Sequence, residues 1–191
     1  MRGSRVTSWI LGCLLAAAAG TRAGDDETPG DLVAGMRAER PERRREALEQ
    51  AILRVRALPG AEANRLRGPL EERVAVERVP AIRALAVRAL ARLGGEPALD
   101  PLLAALAVEE EPAPQAALID AFADLPPAPA ARALSRAAFA AGDPRARALA
   151  AEALGRVPGD APLRALLALS ETTHPWPVQS AILLGLGLRQ D

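Results

Sequence analysis

Apolar positions in this chain fall at steps of three and four residues, interrupted at intervals by proline and glycine. Residues 79–95, VPAIRALAVRALARLGG, set the pattern: Ile82, Leu85, Ala86, Ala89, Leu90 and Leu93 share one face at helical spacing. Pro80 stands where a helix's first N–H has no intrahelical partner, and Gly94 and Gly95 stand where a left-handed cap is wanted. The stretch predicts an amphipathic helix of about three to four turns. No segment shows the period-two alternation of a half-buried strand.

The stretch has copies. Setting Pro80 over Pro112 and Pro144 aligns Ala86 with Leu118 and Ala150, Leu90 with Phe122 and Leu154, and Leu93 with Leu125 and Val157, each 32 residues apart. A preceding helix repeats in the same register through Leu70, Leu102 and Leu134, with Pro69 matched by Pro101 and Pro97 by Pro129. Towards the N-terminus, Leu48, Ile52 and Val55 fit the second-helix pattern counted from Glu42, and Leu32 fits the first. The spacing there is 38, the surplus falling in 58–69, LPGAEANRLRGP, which reads as a loop. Towards the C-terminus, Pro175, Ala181, Gly185 and Leu188 fit at a spacing of 31. Five helix pairs are expected. One pair of this length cannot bury its own apolar face, so the pairs must stack into a continuous core.

These residues resemble the HEAT-like repeat family, in particular the short repeats of phycobilisome lyases. The motif is Asp143-Pro144-Arg145-Ala146-Arg147 followed by Ala148-Leu149-Ala150-Ala151-Glu152-Ala153-Leu154-Gly155, repeated by Pro80-Ala81-Ile82-Arg83 with Ala86 and Ala89-Leu90. The resemblance spans about 31–188. It implies an all-α fold, a right-handed α-solenoid of about five HEAT-like helix pairs, used mostly as protein-binding scaffold. The family's aspartate before the second helix is matched only by Asp143; Glu111 is a loose substitute and Val79 none.

Composition adds an address. The first 23 residues, MRGSRVTSWILGCLLAAAAGTRA, have Arg2 and Arg5, an apolar run from Trp9 to Ala19 too short to span a bilayer, and a small-residue end. They read as a cleaved signal peptide, with 24–30 as a flexible leader and 31–191 as the repeat domain. The expected destination is periplasmic or extracellular, with no membrane span after cleavage. A second reading makes Ile10-Leu11-Gly12-Cys13 a lipobox, with Cys13 lipidated. Cys13 is the one cysteine, so the remainder folds without disulfides or cysteine–zinc sites. All 24 basic residues are arginine, and removing the first 23 residues leaves 21 against 24 acids, a net charge of −3. That balance and an aromatic content of 2% argue against nucleic acid as a partner.

Candidate chemistry is sparse. The hydroxylase of this architecture holds iron with several His–Glu pairs, and this chain has the single histidine His174; no metal, cofactor or catalytic residue is expected. Arg83 and Arg147 share a repeat position, with Arg45 as their equivalent and Gln115 interrupting, which reads either as a carboxylate- or phosphate-binding row or as bracing of the turns. Trp176, in His174-Pro175-Trp176-Pro177, reads as a recognition anchor or as packing under the last turn. Residues 37–92 carry a net charge of +6, and 93–131 carry seven acids and no arginine.

The second helices are expected to line the binding face. Eight and twelve residues after each reference position lie Arg54, Arg88, Arg92, Asp120, Asp124, Glu152 and Arg156, the candidates for contact with a protein or peptide partner. The last helix, 178–188, carries no charge. Leu183 and Trp176 complete the candidate set, with self-association through this helix as a further expectation, unless Leu183 and Leu184 turn inward around Gly185 and Gly187. The function expected is a non-enzymatic interaction module; the alternatives are a lyase-like or accessory enzyme acting on a protein-bound prosthetic group, and a structural envelope component.

Overall fold

Proline starts helices in this chain because its fixed φ suits the first turn and its missing N–H is not needed there. The computed structural model describes residues 28–140 and 142–188. Among these there are ten α-helices, two single 3₁₀ turns and no strand. The helices are α1 (Pro29–Met36), α2 (Pro41–Arg54), α3 (Gly60–Val76), α4 (Pro80–Leu93) and α5 (Leu99–Val108). They continue with α6 (Pro112–Ala121), α7 (Pro127–Ala140), α8 (Pro144–Arg156), α9 (Asp160–Ser170) and α10 (Trp176–Gly187). The signal-peptide and Cys13 readings lie outside the described residues. No described helix is long and apolar enough to cross a membrane.

The helices sort into two layers by number. Each odd helix packs on the even helix that follows it, and each helix also packs on those two before and two after it in its own layer. The repeated leucines fill the seam: Leu70, Leu102 and Leu134 are fully buried, and so is Leu166 a further 32 residues on. Leu90, Phe122 and Leu154 oppose them from the even layer, also fully buried. In α4 the buried set extends beyond the predicted face to Ala84, Val87 and Ala91. A helix with neighbours on three sides hides more than one stripe, and alanine lets those neighbours come close.

Three local expectations change. Residues 60–69 are helical, not a loop: α3 runs through Pro69, and Ala63, Leu66, Leu70 and Val74 form one buried face. Tertiary burial of that face outweighs the hydrogen bond that Pro69 removes. The first helix begins at Pro29, inside the stretch read as leader, because Thr28 and Asp31 form a capping box, each side chain bonding the other's backbone N–H. And α2 opens on Pro41, as the later even helices open on Pro80, Pro112 and Pro144. Counting from Glu42 therefore set the first pair one residue out of register.

The tightest approach in the stack is glycine on glycine. A Cβ on Gly155 of α8 would lie 2.5 Å from the Cα of Gly185 in α10, and one on Gly185 would lie 3.1 Å from the Ala151 carbonyl oxygen. Both obstacles are backbone, which cannot yield without parting the helices. Gly155→Ala should therefore destabilise the fold by about 1–3 kcal/mol through overpacking, although alanine is intrinsically the better helix former by about 1 kcal/mol. Gly187, with open space where a Cβ would go, is the control: Gly187→Ala should leave the urea midpoint unchanged or raise it.

Candidate functional site

Two kinds of arginine sit on the even helices, and the geometry separates them. Three residues after each opening proline of α2, α4, α6 and α8 stand Arg44, Arg83, Gln115 and Arg147. Arg44 donates through Nε and Nη2 to both carboxylate oxygens of Glu77, at 2.6 and 3.0 Å, and through Nη1 to the carbonyls of Ala38 and Glu39. Arg83 repeats this one pair later, gripping Glu109 at 2.7 and 2.8 Å and the Glu77 carbonyl at 2.6 Å. Each rung thus ties the turn before its own helix to the turn of the next pair. The predicted row is a brace for turns, and its first member is Arg44; Arg45 is exposed.

The acids complete the device. Glu77 and Glu109 stand three residues before Pro80 and Pro112. Their carboxylates also accept the backbone N–H of Val79, and of Glu110 and Glu111. They do from outside the helix what an aspartate at the cap does at Asp143, whose side chain accepts the N–H groups of Arg145 and Ala146; Glu111 makes no side-chain cap bond. The third rung is missing on both sides, with Gln115 in the arginine position and Ala141 in the acid position. There Gln115 and Arg145 hold only the Glu109 carbonyl. In the fourth, Arg147 donates to the Ala138 carbonyl and to His174 Nδ1. A guanidinium can only donate, so Nδ1 accepts and the ring proton sits on Nε2, facing the Leu169 carbonyl and the Thr172 hydroxyl.

Burial pushes the Glu77 carboxyl up, but the hydrogen bonds from Arg44 and Val79 and the charges of Arg44 and Arg73 outweigh it and hold it below the ordinary value. At Glu109 the Arg83 hydrogen bond is the largest influence and exceeds the effect of burial, with the same net direction. The guanidinium groups of Arg44 and Arg83 are raised correspondingly by those bonds.

The other arginines border a groove. A depression of ≈ 490 Å³ crosses α2, α4 and α6, with Ile52, Leu53, Leu85, Ala91, Ala117 and Ala121 as its floor. Glu49, Arg88, Arg92, Asp120 and Asp124 form its rim. Charges cross it: Arg56 Nη2 reaches Asp124 at 2.8 Å, from the end of α2 to the end of α6, and Arg92 Nη1 donates to the Ile52 carbonyl at 3.2 Å. Arg156 lies 3.8 Å from Asp120. The Arg56–Asp124 pair thus links the end of α2 to the 3₁₀ turn that follows α6.

Of the predicted contact residues, Arg88, Arg92, Asp120 and Asp124 are brought together in this groove. Arg156 touches it through Asp120, and Glu152 lines a separate depression between α8 and α10. Arg54 is half-buried and outside the lining; with α2 counted from Pro41, its place is taken by Leu53, and Glu49 joins Arg88 and Asp120. Sequence reasoning missed these two, and missed Arg44, Glu77 and Glu109, although a constant offset of three from each proline marked them. Trp176 does not pack under the turn: it is 75% exposed. Leu183 and Leu184 do not fold inward either, because Gly185 occupies the face against α8. Among the described residues no group of three or more His, Cys, Asp or Glu is placed to hold a metal ion. No protein-family model matches this chain, and no curated protein matches it.

The rungs set an acid limit on stability. Glu77 and Glu109 titrate in the folded chain below the ordinary 4.5, so their contribution is complete above that value and is lost as pH falls through the folded values. Urea midpoints measured from pH 7 down to about 3 should decline accordingly. Glu109→Gln should be less stable at pH 7 by about 3 kcal/mol, the lower end for breaking a buried pair, and should show a shallower decline; an unchanged pH profile would refute the assignment.

Proposed function

We propose that this chain is an exported, non-enzymatic interaction module. Five HEAT-like helix pairs wind into a right-handed superhelix, and the even helices take a protein or peptide partner across the groove of α2, α4 and α6. The observation that carries this reading is the groove itself: an apolar floor ending in the exposed Leu53, between a basic wall of Arg88 and Arg92 and an acidic wall of Asp120 and Asp124. Such a surface offers apolar area for affinity and opposed charges for orientation. It is held on helices by buried packing, so little ordering is needed when a partner arrives. Binding is favoured over catalysis because Arg88 and Asp120 line one depression and Glu152 another, so the titratable side chains do not converge on one reacting point. Export rests on the reading of residues 1–23, and the superhelix on the 32-residue period together with the two-layer order of the helices.

A photoreactive residue at Leu53 tests the proposal against the same residue at Arg65, exposed on the odd layer. In an extract of the source cell, Leu53 should give a discrete cross-linked protein that Arg65 does not. Arg88→Glu should weaken the purified partner's binding by roughly 10-fold or more while leaving the helical circular dichroism unchanged. Equal labelling from both layers would sink the proposal.

A further inference from the structure

The last helix differs from every other even helix in what it shows to solvent. No Asp, Glu, Lys or Arg occurs from Trp176 to Leu188, yet Trp176, Leu183, Leu184 and Leu188 are all exposed, Leu183 to 64%. At 100° per residue Trp176 and Leu183 lie on one line along α10 with Leu184 beside them, opposite the buried Val178, Ala181, Ile182 and Gly185. The exposed stripe is thus the back of the face that packs on α8. It lies where the stacking order would seat another even helix, as α4 covers α2 and α10 covers α8.

The Arg147–His174–Leu169 hydrogen bonds anchor the connection two residues before Trp176, so the backbone that starts α10 is held in place.

The occupant follows from charge. At the other end of the stack, α2 exposes Glu42, Arg43, Arg45, Glu46 and Glu49. Head-to-tail stacking of copies would desolvate those charges against a helix that offers them no partner. A second α10 carries no such penalty. A two-fold contact sets a patch against itself, which multiplies like-charge repulsion wherever the patch is charged, and this one has no charge. We propose that the chain forms a two-fold homodimer through α10, with the axis near Leu183 and Trp176 as the anchor contributed by each copy. The contact shares no residue with the groove, and the proposal does not rest on the partner-binding reading.

Light scattering on a sizing column tests it with the full chain, whose mass is 19.9 kDa. Wild type should run at twice that mass at ~100 µM, and Leu183→Glu should run as a monomer with unchanged helix content, its dimer weakened on the order of 100-fold or more. Arg88→Glu, in the groove, should remain dimeric. In a Cys13→Ser background, Leu183→Cys should cross-link two copies under mild oxidation and Leu53→Cys should not. A monomeric wild type, a dimer that survives Leu183→Glu, or equal cross-linking at both positions would overturn the proposal.

Discussion

A helix pair of this length has more apolar surface than it can cover, and its need for a neighbour organises the chain. Leucines at 32-residue intervals meet across the seam between the layers, while alanines on the even helices keep the spacing short. Close helices gain dispersion contacts only in the correct register, and alanine provides few knobs to enforce one. That task passes to the turns. Arg44 with Glu77 and Arg83 with Glu109 are bidentate and nearly buried, and each grips the turns on both sides of its helix. A slip along the helix axis would unmake an ion pair and strand a charge out of water.

The same physics separates structural arginines from those left for contact. A guanidinium gripped by carboxylate and carbonyl oxygens and largely buried turns little of itself toward a visitor. Arg88 and Arg92 stand on the opposite end of the same helix, exposed, on a surface where ion pairs are worth little because water screens them. The groove's opposed walls therefore combine weak internal pairing with a definite polarity.

Much of this was legible in the sequence, for a physical reason: fully buried positions tolerate few residue types, so Leu70, Leu102, Leu134, Leu90 and Leu154 repeat cleanly. The misreadings share a cause in local signals overruled by tertiary burial. Pro59, Gly60, Gly68 and Pro69 suggested a loop, but the apolar face from Ala63 to Val74 drew the segment into α3. Taking Glu42 as reference shifted the first pair by one residue, and a one-residue shift on a helix is a turn of 100°, which exchanged Arg44 for Arg45 and Leu53 for Arg54. Trp176 looked like a residue in need of cover because indoles usually pack; nothing in one chain's periodicity reveals whether the far side of its last helix meets solvent. The rung acids were hidden because they sit in connections, where composition varies and only their fixed offset from proline betrays them.

The missing third rung has a consequence for how the chain comes apart. A stack in which each unit touches only its neighbours behaves as a one-dimensional chain of couplings, and its thermal excitations gather at the weakest link. Between α6 and α8 the buried rung is missing among the described residues, and the polar ties there are the hydrogen bonds of Gln115 and Arg145 to the Glu109 carbonyl and the solvent-exposed Arg156–Asp120 pair at 3.8 Å. A boundary between folded and unfolded segments sits there at least cost. It divides the molecule into an N-terminal block of six helices holding two ionic rungs and a C-terminal block of four holding the Arg147–His174 bond. Gln115, standing where α2, α4 and α8 carry arginine, thus marks the place at which a cooperativity boundary is expected.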